Sequence, residues 1–486
     1  VAERLRSELL QRLGERTEQV EVAGPGFINL FLSELWYREA IAGLVAAGEN
    51  AGIREAGERE RILVEFVSAN PTGPLTAAGG RHAAYGDAVA RLLESVGHQV
   101  EREYYSNDIG SQIDRFGHSI AAAISGEAPP EDGYEGDYVG ELGTRLGGEG
   151  IDASDPDALA RRGAELMIES IRESLRRYGI EFDNWYSQRS FEEGGAVAAA
   201  IERLKESGHT FESEGALWLR TTTFGDDKDR VLLRSDGEPT YFASDIAYHL
   251  DKLERGFGRL IDVLGADHHG YVARMRGAIE VLGSDPDAYE APIMQLVHIV
   301  ERGERAQMSK RRGEFVTLDE LVDDIGVDAT RFFLLQRSHD TTIDLDLELA
   351  REQSNENPVY YVQYAHARIA SILRKAEEEG VDVEAALAAD LSAVSAPLEP
   401  TERVLVKRLL ELPDEVTEAA ERRAPHRLCA YLGTVAADFH AFYRDCRVVG
   451  AEGEGVQESR LALCVVAKRV IARSLGLLGI SAPERM

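Results

Sequence analysis

The sequence is short of cysteine, of positive charge and of long apolar runs, and each shortage narrows what the protein can be. Only three cysteines occur in 486 residues. Their odd number and spacing indicate neither a disulfide framework nor a CxxC metal site, which is typical of a reducing cytoplasm. The sequence contains no apolar run long enough to span a bilayer and no secretory signal. The formal net charge of −32 taken alone argues against nucleic acid as a partner, although a local basic face is not excluded.

The length of the chain predicts two to four domains, because a single hydrophobic core does not grow this large. We expect residues 1–48 to form a partial α/β module, since the chain starts directly in an amphipathic segment and part of the module is predicted to precede it. Residues 59–345 are predicted to form an α/β core with an insertion at about 115–185. Residues 355–486 carry helical periodicity throughout and predict a helix bundle.

Within this division, local patterns predict individual elements. From Val316 the chain is expected to turn helical, with Pro400, Pro413 and Pro425 near helix starts. Further segments are predicted from apolar patterning, namely strands at Ala216–Thr222, Val231–Arg234 and Arg259–Leu264, helices at Ala158–Tyr178, Ser244–Lys252 and Tyr271–Val281, and a polar, Gly-rich section at 126–157.

The stretch VEFVSANPTGPLTAAGGR at 64–81 is central to the predicted core. A strand predicted at Ile62–Val67 leads into a loop with two prolines, then into a helix, and then into a strand predicted at Val100–Tyr105. A strand, loop, helix and strand in this order predict the start of a parallel sheet. Ligands bind at the carboxyl ends of such strands, where this loop lies. The alternative is an ordinary crossover loop.

A second informative stretch is ERAQMSKRRG at 304–313. Lys310, Arg311 and Arg312 crowd a short loop in a chain that otherwise uses few lysines. A cationic loop of this kind suits the stabilisation of charge on a transferring phosphoryl group. The alternative is a solvated, charged turn.

Several segments together resemble the class I aminoacyl-tRNA synthetases, and the arginyl-tRNA synthetases in particular. Met308, Ser309 and Lys310 match the KMSKS signature of that class, with Gln307 in place of its first lysine. The resemblance covers essentially the whole chain, and its other matching segments are ANPTGPL at 69–75, YYSNDIGSQ at 104–112, YFASDIAYHLDK at 241–252, GADHHGYVARM at 265–275, ENPVYYVQYAHARI at 356–369 and PHRLCAYLGTVAADFHAFY at 425–443.

The resemblance implies a Rossmann-type parallel-sheet catalytic core with an insertion, a C-terminal all-α anticodon-binding bundle and a partial N-terminal α/β module that contacts tRNA. The implied activity is ATP-dependent activation of L-arginine, assisted by Mg²⁺, followed by transfer to the terminal ribose of its tRNA. A cytoplasmic monomer without membrane association is expected.

Roles are implied residue by residue where this chain matches the family. Acidic and aromatic side chains suit the substrate's guanidinium, whose planar fork of donors needs acceptors and an aromatic wall. For Asp245, which follows Ser244, the alternative is an acid at a helix start. Asp267, His268 and His269 lack further ligands at useful spacing and are assigned to the pocket lining, and no metal ligands are predicted. The implied assignments are catalysis for Ser309 and Lys310; ATP binding for Thr76, Gly79, Gly80, Gln307 and Met308; arginine binding for Glu65, Asn70, Tyr241, Asp245 and Asp267; and tRNA binding for Arg368, Arg444 and Arg447.

The chain departs from the family at its HIGH signature. Thr76 and Gly79 stand where the family has two histidines that donate to the phosphates of ATP. Gly79 keeps backbone amides for this purpose, and His82 lies almost one helical turn further along. Losing such a donor costs about 10²–10³ in rate. Two other functions therefore stay open: a paralogue that binds tRNA or arginine without activating it, and a nucleotidyltransferase acting on a small molecule.

Overall fold

The computed structural model describes residues 1–48, 57–268, 270–305 and 316–486. No helix in these ranges is both long enough and apolar enough to cross a membrane. The strands are β1 Thr17–Ala23, β2 Phe27–Leu32, β3 Arg61–Glu65, β4 Gln99–Ser106, β5 Asn184–Ser187, β6 Thr210–Ser213, β7 Ala216–Leu219, β8 Arg230–Leu233, β9 Arg259–Asp262, β10 Leu264–Gly265, β11 Tyr289–Glu290, β12 Ile293–Met294, β13 Val297–Glu301, β14 Glu304–Arg305 and β15 Ile343–Asp346. The α-helices are α1 Ala2–Leu13, α2 Glu34–Ala47, α3 Ala77–Ser95, α4 Ser111–Ser125, α5 Asp137–Gly148, α6 Pro156–Arg177, α7 Gln188–Glu193, α8 Ala196–Glu206, α9 Tyr241–Glu254, α10 Tyr271–Val281, α11 Leu318–Leu335, α12 Leu347–Arg351, α13 Pro358–Glu378, α14 Val383–Leu387, α15 Pro400–Leu410, α16 Leu412–Glu421, α17 His426–Asp445 and α18 Val456–Leu477.

The chain forms two compact units. The first combines Val1–Arg54 with Glu352–Arg422 and His426–Met486, and the second combines Glu55–Arg351 with Arg423–Pro425. The N-terminal α1 and the β1–β2 hairpin are therefore grouped with the helices α13–α18. Within this first unit α2 packs on α15 and α18, and its Ile41 is fully buried.

A parallel five-stranded sheet forms the centre of the second unit, in the order β11-β9-β3-β4-β5. Because all its strands run in the same direction, their carboxyl ends lie along one edge. Glu65 at the end of β3 is in register with Asp262 of β9 and Glu103 of β4. This sheet and the helical C-terminal region confirm the predicted fold class.

Helix α3 lies unusually close to its neighbours because glycines face them. A Cβ atom on Gly86 would come within 2.2 Å of Phe66, and one on Gly80 within 2.7 Å of Leu318. Both distances are far below van der Waals contact, so a larger residue would displace the helix. Gly80, which the resemblance assigned to ATP binding, thus has a clear packing role.

Several predicted elements have different limits in the structure. The strand predicted to end at Val67 ends at Glu65, because Val67 and Ser68 take positive φ values of 69° and 39°. The strand predicted over Ala216–Thr222 ends at Leu219 and a 3₁₀ turn follows. The Gly-rich section at 126–157 contains helix α5, and the region after Val316 includes strand β15.

The helix starts predicted from proline are confirmed. Pro400 is the first residue of α15, Pro413 is the second of α16, and Pro425 directly precedes α17. The cysteines Cys429, Cys446 and Cys464 are buried free thiols.

Candidate active site

The turn that follows β3 brings side chains back towards the end of the strand. The Ser68 hydroxyl donates to Glu65 Oε1 at 2.8 Å and accepts from the backbone amide of Tyr105 at 3.2 Å. Positive φ at the β-branched Val67 is a costly conformation, of about 1–3 kcal/mol, and such residues concentrate at functional sites. The turn thus fixes the Glu65 carboxylate at the carboxyl edge of the sheet.

A buried lysine stabilises the carboxylates at this edge. Lys252 Nζ of α9 donates to Glu65 Oε2 at 2.6 Å and to Asp262 Oδ1 at 2.8 Å, and its side chain is fully buried. Burial would lower the pKa of Lys252, but the two carboxylates outweigh burial and raise it. His249 Nε2 lies 2.8 Å from Asp262 Oδ2. The pair of acids is therefore held rigidly, with lone pairs of Glu65 left to accept from a ligand.

Asp245, on the same helix as Lys252, has a negative charge that its neighbours balance less completely. Burial raises the pKa of Asp245 to about 6, and the charge of Glu65 adds to this, whereas His249 and a hydrogen bond from Tyr271 oppose it. A buried carboxylate with a raised pKa is stabilised by a bound cation. Asp245 is not a helix-start acid, because α9 begins at Tyr241 after the cap residue Thr240.

Tyr241 itself is 64% exposed. As the first residue of α9 it lies one helical turn before Asp245, so both side chains lie on the same face of the helix. Its hydroxyl is 3.6 Å from the position that a Cβ would take on Gly110, in the loop before α4. Tyr241 therefore provides an accessible aromatic wall beside Asp245.

At the start of α3, the residues in place of the signature histidines bond to each other. Thr76 is the N-cap, and its Oγ1 accepts from the amide of Gly79 at 3.3 Å. The amide of Ala77 donates to the carbonyl of Val316 at 3.0 Å, and that of Gly80 to the carbonyl of Thr76 at 2.9 Å. The Gly79 amide is thus already bonded to Thr76 in this structure, and its assignment to ATP binding stays a prediction.

Two backbone hydrogen bonds join this region to the chain that follows the cationic stretch. Besides the bond from Ala77 to Val316, the amide of Leu318 donates to the carbonyl of Leu75 at 2.8 Å. The residues predicted from the cationic stretch, Gln307, Met308, Ser309 and Lys310, lie outside the described residues.

The remaining residues predicted to bind arginine differ in their surroundings. Asn70 Nδ2 donates to Gln112 Oε1 at 2.7 Å, so the two form a polar contact between the loop and α4. Asp267 follows β10, its side chain is 84% exposed, and its Oδ1 lies 3.0 Å from His268 Nδ1. No group of three or more potential metal ligands occurs within the described ranges, and His269 is not among the described residues.

The first unit contains a cationic cleft of about 440 Å³. Its walls come from α13, from the end of α17 and from the C-terminal residues, and they include Tyr364, Arg368, Arg374, Lys375, Tyr443, Arg485 and Met486. The Arg368 guanidinium carbon lies 4.4 Å from the ring centre of Tyr364 and 5.2 Å from that of Tyr443. Cations interleaved with aromatic rings suit unpaired nucleic-acid bases.

The other two arginines predicted to bind tRNA lie elsewhere in this unit. Arg444 is paired with the adjacent Asp445, at 2.8 Å from Nε to Oδ1. Arg447 donates from Nε to the carbonyl of Val449 at 3.0 Å. Neither is a wall residue of the cleft, so of the three arginines predicted to bind tRNA the cleft includes Arg368 alone.

Sequence reasoning missed the buried charged residues that support the site. Lys252 and Asp262 were not singled out, although Lys252 is a rare lysine in a segment already matched to the family. Arg81 is also buried, and its guanidinium donates to the carbonyls of Gln295, Ser338 and Thr341. Such residues follow from the register of the sheet, which only the structure supplies.

Two family models match the chain. The model described as tRNA synthetases class I (R), catalytic domain, matches residues 41–125 and 153–370. The model described as DALR anticodon binding domain matches residues 362–486.

Whole-chain relatives agree with these matches. The arginine–tRNA ligase of Moorella thermoacetica is 45% identical over 98% of this chain and 87% of its own length. That of Shouchella clausii is 44% identical over 96% of this chain and 86% of its own length. The arginyl-tRNA synthetase structure from Thermus thermophilus superposes with a TM-score of 0.77 at 25% identity, over all of this chain and 92% of the Thermus chain.

Proposed function

Because this chain belongs to the class I tRNA synthetases of the arginyl type, we propose that it is an arginine–tRNA ligase working in the cytoplasm. The observation that carries the proposal is identity of 43–45% to several such ligases over 96–99% of the chain. Similarity of this extent includes both the catalytic and the anticodon-binding parts.

The proposed reaction has two steps. First, a carboxylate oxygen of L-arginine attacks the α-phosphorus of ATP; the bond to the β-phosphate oxygen breaks, and pyrophosphate leaves. Second, a terminal ribose hydroxyl of the tRNA attacks the acyl carbon of the arginyl-adenylate, and AMP leaves. The enzyme contributes mainly by positioning the reactants and stabilising charge.

Arginine is recognised by Asp245, Tyr241 and Glu65 in this proposal. The Asp245 carboxylate accepts from the guanidinium, whose charge restores the ionised form that burial disfavours. The exposed ring of Tyr241 stacks on the planar guanidinium. Glu65, fixed by Ser68 and Lys252, accepts from the α-ammonium group, and Asn70 and Asp267 complete the polar lining.

The phosphates of ATP meet the start of α3. The Thr76 hydroxyl accepts from the Gly79 amide and keeps its own proton for donation to a phosphate oxygen. Lys310, Ser309, Gln307 and Met308 precede Val316 in the sequence, and the Val316 carbonyl accepts a hydrogen bond from the Ala77 amide. The Lys310 ammonium is proposed to neutralise charge on the leaving pyrophosphate.

Mg²⁺ fits this site only as a companion of the nucleotide. The described residues offer no cluster of three carboxylate, histidine or cysteine ligands, whereas the phosphates are themselves the oxygen ligands that Mg²⁺ prefers. An ion bound to the phosphates would neutralise part of their negative charge.

The tRNA is proposed to contact the cationic cleft, where Arg368 stacks between Tyr364 and Tyr443. Unpaired anticodon bases stack on such a surface, and the cations balance phosphate charge. Arg444 and Arg447 would then contact the tRNA outside the cleft. We expect the ligase to act as a monomer.

Attachment of radiolabelled arginine to tRNA tests the proposal, together with ATP–pyrophosphate exchange measured with and without tRNA. We expect exchange that requires tRNA, and a loss of about 10²–10³ in its rate for Lys310→Ala. Lys228→Ala, on the segment before β8, is the matched control and should leave the rate unchanged. Exchange with another amino acid in preference to arginine would contradict the proposal.

A paralogue that binds tRNA without activating arginine is the second candidate. It is favoured by the bond between Thr76 and Gly79, since neither residue offers an imidazole donor. Tight tRNA binding without any pyrophosphate exchange would establish it. Gly79→His then asks whether the lost donor matters, because a Cβ at Gly79 would be in ordinary contact with Leu75 at 3.5 Å.

A further inference from the structure

Lys252 joins helix α9 to two strands of the parallel sheet. Its Nζ donates to Glu65 at the end of β3 and to Asp262 at the end of β9, and it lies 4.3 Å from the ring centre of Tyr248, one turn earlier in the helix. The Lys252 side chain is fully buried and that of Asp262 nearly so, whereas 12% of the Glu65 side chain is exposed. Of these charged groups, Glu65 is therefore the one that a ligand can reach.

The same helix is also joined to a third strand. Glu103 of β4 is in register with Glu65 of β3, and it accepts from the hydroxyl of Tyr248 at 2.6 Å and from the guanidinium of Arg255 at 2.7 and 2.9 Å. Charge-assisted hydrogen bonds to a buried carboxylate are strong, and removing one partner is costly. Helix α9 is therefore fixed in position relative to the ends of three neighbouring strands.

Both ends of the proposed substrate depend on this helix. Asp245 and Tyr241, proposed to bind the guanidinium, lie on α9, whereas Glu65, proposed to bind the α-ammonium group, lies on β3. Asp245 is seven residues before Lys252, so the two share one face of the helix and lie about 10 Å apart along its axis. The hydrogen bond from Lys252 to Glu65 thus links the acceptor for one end of arginine to the helix that carries the acceptor for the other.

On the proposed function, we propose that Lys252 is a positioning residue that determines which length of amino acid the site accepts. Its bond to Glu65 fixes the acceptor of the α-ammonium group at the distance that the side chain of arginine spans. A side chain with one methylene fewer or more then reaches only one of the two acceptors in good geometry. A single methylene is worth about 10–200-fold in discrimination, and a displacement of about 1 Å can cost about 10²-fold in rate.

Two variants separate the effect of the bond from the effect of the charge. Lys252→Met combined with Asp262→Asn removes one positive and one negative charge, so the formal charge of the group is unchanged while Glu65 loses its bond to the helix. Asp262→Asn alone is the matched control, because it keeps the bond from Lys252 to Glu65 and removes a negative charge instead.

Equilibrium dialysis with radiolabelled L-arginine, in competition with L-norarginine and L-homoarginine, gives the three dissociation constants. The two analogues have one methylene fewer and one more than arginine. We expect the wild-type chain to bind arginine at least about tenfold more tightly than either analogue, and the double variant to reduce this ratio to less than about threefold. Asp262→Asn should weaken all three amino acids by a common factor and keep the ratio. Because each ratio compares ligands on one preparation, it does not depend on the fraction of protein that is folded.

A double variant that keeps the wild-type ratio would overturn the proposal. A loss of the ratio in Asp262→Asn would also overturn it, because the charge rather than the bond would then set the length. Equal binding of all three amino acids by the wild-type chain would overturn it whether or not a variant folds. A wild-type chain that binds none of them would contradict the proposed function as well, whereas one that selects arginine through Lys252 but charges no tRNA would contradict the proposed function alone.

Discussion

The acidic pocket of the α/β unit and the cationic cleft of the helical unit carry opposite charges, and their surroundings stabilise these charges to different degrees. In the pocket, Asp245 is half-buried, and its partial desolvation, incompletely balanced by neighbouring groups, raises its pKa to about 6. In the cleft, Arg368 is stacked on Tyr364 and bonded to its hydroxyl and to His440. The pocket thus leaves the charge of a carboxylate incompletely balanced, whereas the cleft holds the Arg368 cation against two aromatic rings.

The difference explains why the net charge of −32 is a poor guide to this protein's partners. Salt screens charges beyond about 8–10 Å, so a polyanion responds to the local surface rather than to the total. On the proposed function, the cations of the cleft provide the local surface for tRNA, and the acidic excess beyond the screening length has little effect on that contact.

Asp245→Asn should produce the largest effect. The variant removes the charge that faces the guanidinium and should lower kcat/KM for arginine about 10²-fold, the value of a charge-assisted hydrogen bond to a buried group. Burial raises the folded-state pKa above its ordinary value of 3.8, so the charged form disfavours folding at pH 7. The same variant should therefore gain stability, by up to about 3 kcal/mol.

Pyrophosphate exchange and urea unfolding on the same preparation would check both halves of this prediction. For the unfolding half, Asp267→Asn is the matched control, because the Asp267 side chain is 84% exposed and its replacement should change stability little. If Asp245→Asn lost stability together with activity, Asp245 would be a structural partner in the core rather than a ligand-binding group.

The sequence allowed more of the fold than of the site to be predicted. The β3–α3–β4 unit and the C-terminal helices follow from apolar periodicity, which depends on neighbouring residues and needs no knowledge of tertiary contacts. The end of β3 was misplaced because the apolar Phe66 and Val67 continue the strand pattern, while the turn takes positive φ at Val67 and Ser68. Lys252 was missed since its partners, Glu65 and Asp262, meet it only through sheet register.

The pH dependence of arginine binding is a second test of the difference between the pocket and the cleft. With a pKa of about 6, Asp245 is mostly ionised at pH 7.5 and about one-tenth ionised at pH 5, so affinity for arginine should fall about tenfold between them. Calorimetry at several pH values measures this, with Asp245→Asn as the reference. A dependence that persists unchanged in the variant would mean that another group titrates.

Arg368→Ala tests the cleft. Loss of a cation stacked on two aromatic rings should weaken tRNA binding about tenfold and leave arginine affinity unchanged. Arg444→Ala, whose side chain is paired with Asp445 outside the cleft, should have less than about a threefold effect. Filter binding at fixed salt measures both variants. Equal losses would place the tRNA contact across the wider basic surface rather than in the cleft.

Thr76→Ala should have the smallest effect, and it separates two roles of one hydroxyl. As the N-cap of α3 the hydroxyl accepts from Gly79, and its removal should cost about 1 kcal/mol, with Thr76→Ser restoring it. Faster hydrogen exchange at the Gly79 amide would report the lost cap directly. Because the same hydroxyl is proposed to donate to ATP, its removal should also raise KM for ATP. A raised KM in Thr76→Ala with unchanged exchange at Gly79 would mean that the hydroxyl contacts the nucleotide alone. Faster exchange with an unchanged KM would make it purely a helix cap.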